Sequence, residues 1–281
     1  IEHYLAEIRK RLPVVDKTLE LYGELPLSEY LDVVTKTPSE RYQSHEDLAD
    51  AVYEYAAPLL GEEVAAMARE ELKQSPVVLT ANHHGVDYFA QSVQGTLLFS
   101  QRKLPNGQKA KTVPVLACGS IAMNNLTYPR GALFYSVKDE QVPLRLPIFP
   151  DKVKRQLVAR TAPFRMDLVD RAIARVDKLA VEGRIAVTSR DTMQTILKKH
   201  YSADEVLAQS SYSDQAVLLN ARLWREMMPQ KLDSELVYLE LEEIGSRLLQ
   251  KDFVNEQSLI HILLFDRSVR LELIAQLNGA K

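Results

Sequence analysis

Apolar residues recur along this chain with two different spacings, and the change of spacing divides it into three parts. In the first 75 residues, apolar side chains recur every three or four positions, as Leu48, Val52 and Tyr55 do. This is the spacing of one buried face of a helix. We therefore predict a helical layer over residues 1–75.

The middle of the chain has short apolar runs that are rich in β-branched and aromatic residues and are separated by turn residues. Such runs are typical of buried strands. They predict strands at residues 76–80, 112–117, 132–137, 142–149 and 184–188. Since helical segments flank these strands, we predict an α/β fold with a central, mostly parallel sheet at about residues 76–190.

Helical spacing returns at residues 151–182, with a break near Pro163, and again from Ser213 to Pro229. The end of the chain is also helix-like, although residues 236–241 and 259–265 also fit short strands. The sequence contains no repeat, low-complexity tract or linker. We therefore predict that residues 1–281 form a single domain, with a sheet-containing core at 76–190 and a helix-rich C-terminal extension at 191–281.

The composition is that of a folded, water-soluble protein, since 46% of the 281 residues are hydrophobic and 26% are charged. The 35 basic and 38 acidic residues give a net charge of −3. We therefore expect no general nucleic-acid binding, although a local patch can still bind an anion. No apolar run approaches the roughly 18 residues of a membrane-spanning helix. We predict a cytoplasmic protein with no membrane span, and a homo-oligomer is compatible with the sequence.

The spacing of the glycines excludes several nucleotide-binding and catalytic motifs. No two of the ten glycines lie closer than ten residues apart. The dinucleotide-binding fingerprint, the P-loop, the kinase glycine loop and the nucleophile elbow each need two or more glycines within about six residues. The single cysteine, Cys118, allows no internal disulfide and no Cys-x-x-Cys motif, which fits a reducing compartment.

A cluster of chemistry-bearing side chains follows the first predicted strand. Its members are Asn82, His83, His84 and Asp87. In α/β proteins, loops at the carboxyl ends of strands bind ligands. If this turn enters a helix, Asp87 lies on the same face as either histidine, and a carboxylate partner fixes the tautomer of an imidazole and raises its basicity. We predict that His83 or His84 is a general base, that Asp87 orients it and that Asn82 contributes to substrate binding.

Two other interpretations of this cluster stay open. The histidines, with Asn82 and Asp87, can cap a helix and satisfy buried backbone groups without any chemistry. Alternatively, His83, His84 and Asp87 can be the ligands of a metal ion. The other histidines have no matching metal-binding pattern, and the sequence does not specify a cofactor.

A second group of candidates follows the predicted strand at 112–117. Cys118 stands at the strand end, before two residues whose amides resemble the oxyanion donors beside a nucleophile. Free cysteines are more often buried as small apolar groups. The candidates for substrate binding that come next are Asn124, Asn125, Tyr128 and Arg130. A guanidinium can hold a carboxylate or a phosphate with two hydrogen bonds, although the same residues also fit simple turns.

About a dozen residues resemble glycerolipid acyltransferases. His83 and Asp87 are similar to the first motif of that family, in which four residues separate a histidine base from its orienting aspartate, whereas here three residues separate them. Residues 131–134 and 142–144 resemble later blocks of the family. Its Glu-Gly-Thr anion-binding block is missing, and the closest string is Glu182-Gly183-Arg184. The resemblance implies an acyltransferase-like His–Asp enzyme, and we assign no lipid from it.

These observations predict an enzyme that acts on a small polar, anionic substrate. It either hydrolyses this substrate or transfers a group on it. The alternatives are a metal-dependent enzyme, an acyltransferase-like enzyme, and a non-catalytic binding or scaffold protein whose helical ends dock a partner. An exposed apolar stripe on residues 233–279, in place of a pocket beside residues 82–88, would favour the binding protein.

Overall fold

The computed structural model of the protein describes residues 2–35, 46–81, 83–137, 143–228 and 232–280. The helices are α1 (Glu2–Arg11), α2 (Pro13–Tyr22), α3 (Leu27–Val34), α4 (Glu46–Leu60), α5 (Glu62–Gln74), α6 (Ala90–Phe99), α7 (Met166–Val181), α8 (Val187–Ile196), α9 (Asp204–Leu207), α10 (Tyr212–Met227), α11 (Leu241–Val254), α12 (Leu259–Phe265) and α13 (Arg267–Gly279). The strands are β1 (Leu79–Ala81), β2 (Thr112–Ala117), β3 (Gly131–Tyr135), β4 (Pro143–Pro147) and β5 (Glu235–Glu240). A π-helical turn, Leu197–Tyr201, continues α8.

Three of these strands form a small parallel sheet in the order β1-β2-β5. The central strand β2 is buried along its whole length, because both of its edges are paired and both of its faces are covered. The other two strands, β3 and β4, form a separate antiparallel pair in which Leu133 lies opposite Arg145. The fold is therefore mixed α/β, with helices at both ends of the chain, as the sequence predicts.

The prediction of one central sheet within residues 76–190 is only partly right. The segment 184–188 is not a strand: Gly183 has a φ of +65° and ends α7 in a turn, and α8 begins at Val187. Ile185, in the turn between α7 and α8, packs into the core and has only 3% of its surface exposed. A short apolar run has no distinctive period, so its pattern does not separate a strand from a buried turn.

The third strand of the parallel sheet comes instead from the C-terminal part of the chain. Of the two ambiguous segments, 236–241 corresponds to β5 and 259–265 forms the helix α12. The two apolar segments differ because only the first pairs with β2. Strand β5 is buried from Leu236 onward against β2, whereas α12 has no buried residue.

The helix predicted over residues 151–182 is shorter than expected. Two single 3₁₀ turns, at Asp151–Val153 and Val158–Arg160, precede α7, so the break near Pro163 is confirmed but the segment before it is not an α-helix.

Helix α10 lies at the centre of the molecule and contributes to all three apolar clusters. Leu219 packs with α7 and the β3–β4 pair, Val217 packs with α4 and α5, and Trp224 packs with β2 and β5. The cap of this helix is Ser211, whose hydroxyl accepts from the Asp214 N–H at 3.0 Å, and not Ser213. Because α10 touches every layer, its polar side chains can fix loops that come from distant parts of the chain.

The helices at the two ends of the chain bury little. Helices α1, α2, α12 and α13 have no buried residue. None of the described helices is both long enough and apolar enough to span a membrane.

Candidate active site at the carboxyl edge of the sheet

The candidate site lies at the carboxyl edge of the parallel sheet. The three strands end in register, with Ala81 opposite Ala117 and Ala117 opposite Glu240. Because the strands are parallel, the segments that follow them meet at this one edge. The sheet therefore brings together the two predicted candidate segments, and it adds the start of α11 to them.

The loop after β1 is not helical between residues 83 and 89, and α6 begins only after it. The helical spacing that would place Asp87 on one face with a histidine is therefore not formed. Asn82 lies outside the described residues.

His84 is fully buried and anchors the loop. Its Nε2 lies 3.1 Å from the carbonyl oxygen of Ser213, which can only accept, so Nε2 carries the hydrogen. Its backbone N–H donates to the Cys118 carbonyl at 2.7 Å, and its ring stacks on Tyr238 with the centroids 5.7 Å apart. Burial lowers the pKa of His84 to about 4 and keeps the imidazole neutral. His84 thus ties the ends of β1 and β2 to α10, and a substrate cannot reach it.

His83 is the exposed histidine of the pair. It lines a cavity of about 460 Å³ together with Asp87, Ser92 and Tyr238, and we call this space the His83 cavity. Its ring meets the ring of Tyr128 edge-on, with the centroids 5.5 Å apart. Its backbone carbonyl lies 2.8 Å from the Tyr238 hydroxyl. Of the two predicted bases, His83 is the one that a substrate can reach.

Asp87 is held by hydroxyl groups. Its Oδ2 accepts from the Ser92 hydroxyl at 2.9 Å and lies 3.1 Å from the Tyr238 hydroxyl. Its Oδ1 has only a long contact, 3.4 Å from the Phe89 nitrogen. In the described part of the chain, no hydrogen bond or ion pair joins Asp87 to either imidazole. Asp87 and His83 nevertheless line the same cavity, and Oδ1 keeps most of its capacity to accept a hydrogen bond.

Asn220, which is not among the residues predicted for this site, fixes the backbone of this loop. This fully buried side chain on α10 donates from Nδ2 to the Gly85 carbonyl at 2.8 Å and accepts at Oδ1 from the Asp87 N–H at 3.0 Å. Its own carbonyl accepts from the Tyr88 hydroxyl at 2.6 Å. Since Asn220 lies 135 positions after Gly85, no local pattern indicates this contact.

Tyr128 and Tyr238 form the buried floor beside His83. Burial, followed by the nearby carboxylate of Asp87, raises the pKa of Tyr238 well above its ordinary value. Burial, the neighbouring Tyr238 and Asp87 likewise raise the pKa of Tyr128. Both phenols therefore stay protonated. The Tyr238 hydroxyl has the His83 carbonyl and Asp87 Oδ2 as acceptors, whereas the Tyr128 hydroxyl is buried without a hydrogen-bond partner among the described residues.

The Cys118 thiol does not have the surroundings of a nucleophile. The Glu242 carboxylate, on the first turn of α11, accepts from the Gly119 N–H at 2.6 Å and from the Ser120 N–H at 2.7 Å. The Cys118 sulfur lies 3.4 Å from the same carboxylate. Burial and the Glu242 carboxylate raise the pKa of Cys118, which disfavours the thiolate. The two amides predicted as oxyanion donors are thus already occupied.

The pKa values of Glu240 and Glu242, where β5 passes into α11, are shifted in opposite directions. Partial burial raises the pKa of Glu242, but hydrogen bonds from Ser120 and Gly119 outweigh it, and the net shift is downward. Burial and neighbouring carboxylates raise the pKa of Glu240, at the end of β5, to about 6. Glu240 is only 6% exposed, so it acts on the stability of this edge more than on a ligand.

The predicted substrate-binding residues have different positions. Tyr128 lies against His83, as described above. Arg130 is buried, and its Nη2 pairs with Asp151 at 2.9 Å, so it does not line the His83 cavity. Asn125 accepts from the N–H and the hydroxyl of Thr127 and so fixes a turn, and Asn124 is exposed. The cation expected to hold an anionic substrate therefore lies outside the His83 cavity.

A second cavity, of about 530 Å³, lies beside the His83 cavity. It is bounded by the loop before α6, by β3, by α8 with its π-helical turn, and by α10. Phe89 and Gln91 line both cavities, so the two spaces are adjacent. We call the second cavity the aromatic cleft, because its lining includes Tyr88, Phe89, Tyr128, Tyr135, Phe149, Tyr201 and Tyr212.

The residues of the loop do not form a ready metal centre. Within the described ranges, no group of three or more His, Cys, Asp or Glu side chains is arranged to hold a metal ion. His84 Nδ1 is buried without a hydrogen-bond partner there, and Asp87 is engaged with hydroxyl groups. The set His83, His84 and Asp87 would have to rearrange to bind a metal.

The C-terminal helices expose apolar side chains. Leu259 is 68% exposed, Phe265 is 58% exposed and Leu277 is 59% exposed. The molecule thus has both an exposed apolar surface at this end and a cavity beside residues 83–88.

Comparison of the chain with protein-family models, with curated proteins and with solved structures found no match.

Proposed function

We propose that this protein is an enzyme that hydrolyses its substrate or transfers a group from it, with His83 as the general base. The observation that carries the proposal is that an accessible imidazole and a carboxylate line one cavity at the carboxyl edge of a parallel sheet. A concave space in which a few polar groups converge is the usual form of a small-molecule site.

The surroundings of Asp87 support its role as the orienting acid. The Ser92 hydroxyl holds Oδ2, with the Tyr238 hydroxyl 3.1 Å away, and this leaves Oδ1 to accept a hydrogen bond from His83 when its ring turns toward Asp87. Catalytic hydrogen bonds are often absent or long before a substrate binds. Asn220 holds the backbone of Asp87, so the carboxylate stays in place while the imidazole moves.

In the proposed reaction, His83 removes the proton from water or from an acceptor hydroxyl as its oxygen attacks the substrate. The same imidazole then returns the proton to the leaving group, so that it is neutral again at the end of the cycle. A positioned base of this kind contributes about 10² to 10⁴ in rate.

A non-catalytic binding protein would be favoured by an exposed apolar stripe on residues 233–279 without a pocket beside residues 82–88. Since the chain has both, the pocket favours an enzyme, and docking of a partner stays an alternative function of the C-terminal helices alone.

The test is the hydrolysis of a panel of chromogenic substrates, namely para-nitrophenyl acetate, octanoate and phosphate, by the wild type and by His83→Gln. We expect His83→Gln to lose about 10²-fold or more of kcat/KM on any substrate that turns over, with an unchanged circular dichroism spectrum. Asp87→Asn should lose activity in the same direction, because its amide cannot stabilise the imidazolium.

Two matched variants serve as controls. His3→Gln changes an exposed histidine on α1, and Cys118→Ala removes the thiol, so both should keep activity within about twofold. Equal activity of His83→Gln and His3→Gln would refute the proposal. Loss of activity in Cys118→Ala would indicate that the thiol, and not water or an acceptor hydroxyl, attacks the substrate.

A further inference from the structure

We infer that the aromatic cleft binds an uncharged apolar group of the substrate, either aryl or alkyl, while the reacting bond lies in the adjacent His83 cavity. The inference rests on the proposed function, which assigns the reaction but not the substrate class. It differs from the small anionic substrate that the sequence suggested.

The lining of the aromatic cleft has no charged side chain among the described residues. Aliphatic side chains complete the walls between the rings, including Leu133 on β3 and Met193 and Ile196 at α8. A charged ligand group would lose its hydration here without gaining a partner, whereas an apolar group gains from the same transfer.

Two of the five tyrosines that line the cleft have hydroxyl groups bonded to the backbone. The Tyr88 hydroxyl donates to the Asn220 carbonyl at 2.6 Å, and the Tyr212 hydroxyl donates to the Pro129 carbonyl at 2.9 Å. Because these hydroxyls are engaged with the backbone, the two residues present ring carbons to the cavity. These two residues therefore favour contact with ring or chain carbons over contact with polar groups.

The position and size of the cleft fit a part of a substrate. At about 530 Å³ it lies within the usual range of small-molecule sites, roughly 300–1,000 Å³. Phe89 separates it from the His83 cavity and is 43% exposed, so a ligand can extend past its ring from one space to the other. The π-helical turn contributes Tyr201 to the lining, and such turns are frequent at functional sites.

Arg130, the arginine that the sequence predicted to hold an anion, lines neither the aromatic cleft nor the His83 cavity. Arg130 lies between Pro129 and Gly131, which both line the cleft, but its own side chain is buried and paired with Asp151. No cation of the described lining is thus in place to recognise an anionic group in the cleft.

The test is the binding of a neutral fluorescent probe, N-phenylnaphthylamine, to the wild type and to His83→Gln, Leu133→Glu, Tyr135→Glu and Phe253→Glu. Leu133 and Tyr135 lie at the rim of the cleft and are 36% and 62% exposed, so a glutamate is tolerated there. Phe253 is 50% exposed on α11 and controls for probe binding to the apolar C-terminal surface. Circular dichroism of each variant verifies its fold.

We expect the wild type and His83→Gln to bind the probe equally, and both rim variants to weaken it about tenfold or more. Phe253→Glu should bind within about twofold of the wild type. Displacement by hexanol, octanol and decanol, in comparison with naphthol, distinguishes an alkyl from an aryl group: an alkyl site should gain roughly two- to fourfold in affinity per added CH₂.

Unchanged binding in Leu133→Glu and Tyr135→Glu, or a loss confined to Phe253→Glu, would overturn the inference. If these rim variants bind normally while His83→Gln loses turnover, only the substrate class is wrong. If the rim variants lose the probe while no substrate shows His83-dependent turnover, the proposed reaction is wrong and the apolar site stands.

Discussion

His83 and His84 are neighbours in the chain, yet their environments are opposite. His84 has 0% of its surface exposed and a pKa of about 4, and its ring hydrogen is committed to the Ser213 carbonyl. His83 is exposed in a cavity beside Asp87. Adjacent residues of an extended segment point in opposite directions, so one of a pair enters the core when the other faces a ligand.

The residue after this pair, Gly85, is required by close packing. Its φ is +151°, and a Cβ at this position would lie 2.9 Å from the Pro129 Cβ and 3.2 Å from the Tyr128 hydroxyl oxygen. We predict that Gly85→Ala lowers the free energy of unfolding by about 1–3 kcal/mol.

Gly245→Ala is the matched control, since Gly245 lies inside α11 and a Cβ there would contact nothing within 4 Å. This variant should raise the free energy of unfolding by roughly 0.5–1 kcal/mol, because alanine loses less conformational entropy in a helix. Urea denaturation measures both changes. A Gly85→Ala protein as stable as the wild type would show that the loop can relax around a methyl group.

At the scale of elements, single buried polar side chains connect segments that are distant in sequence. Asn220 connects α10 to the loop after β1, and Glu242 connects α11 to the loop after β2. Glu71 does the same at the other end of β2: its carboxylate accepts from the Thr112 N–H at 3.1 Å and from Arg102 Nη2 at 3.0 Å. Such contacts set the positions of strands whose own pairing is short.

The ion pair of Glu71 with Arg102 is strongly buried, since the two side chains are 9% and 1% exposed. We predict that Glu71→Ala lowers the free energy of unfolding by about 3–5 kcal/mol, because it leaves a buried guanidinium without its carboxylate. Glu7→Ala breaks the exposed pair of Glu7 with Arg11 and should cost less than about 1 kcal/mol. Denaturant titration of the two variants gives the comparison, and similar costs would contradict the assigned burial.

At the scale of the whole molecule, His84 and Glu240 couple folding to pH with opposite signs. The folded pKa of His84, about 4, lies below the ordinary value near 6.5, so the unfolded chain binds a proton that the folded protein does not. The contribution of His84 to stability is therefore present above pH 6.5 and is lost as the pH falls toward 4. The loss amounts to about 3 kcal/mol.

Glu240 acts in the other direction. Its folded pKa of about 6 lies above the ordinary value near 4.5, so its contribution is present at low pH and is lost as the pH rises through 6. The two effects partly cancel between about pH 6 and 4.5 in the wild type.

We predict that Glu240→Gln is more stable than the wild type at about pH 8, because no buried carboxylate ionises, and that its stability falls more steeply below about pH 6.5. Urea midpoints of the wild type and of Glu240→Gln, measured at each pH, show how steeply the stability of each protein depends on pH. Parallel slopes in the variant and the wild type would rule out the titration of Glu240 as the compensating group.

Much of this protein follows from the sequence alone because the signals involved are local. Helical spacing over a few turns specifies the helical layer of residues 46–74, and short β-branched runs specify β1 to β4 within a few residues. The polar turn after β1 is also visible locally, so the candidate loop can be found without coordinates. The reason is that backbone period and turn chemistry depend on neighbours along the chain.

Only the tertiary structure decided which histidine is accessible, that β5 completes the sheet, and that Glu242 fills the amides beside Cys118. The partners in these contacts lie far apart in the chain; Glu242, for example, lies 123 positions after Gly119. Burial, cavity shape and the supply of hydrogen-bond partners are properties of the packed chain, and no short window of sequence contains them. For the same reason, the sequence suggested an anion site at Arg130, whereas the packed chain forms the aromatic cleft from the residues on either side of it.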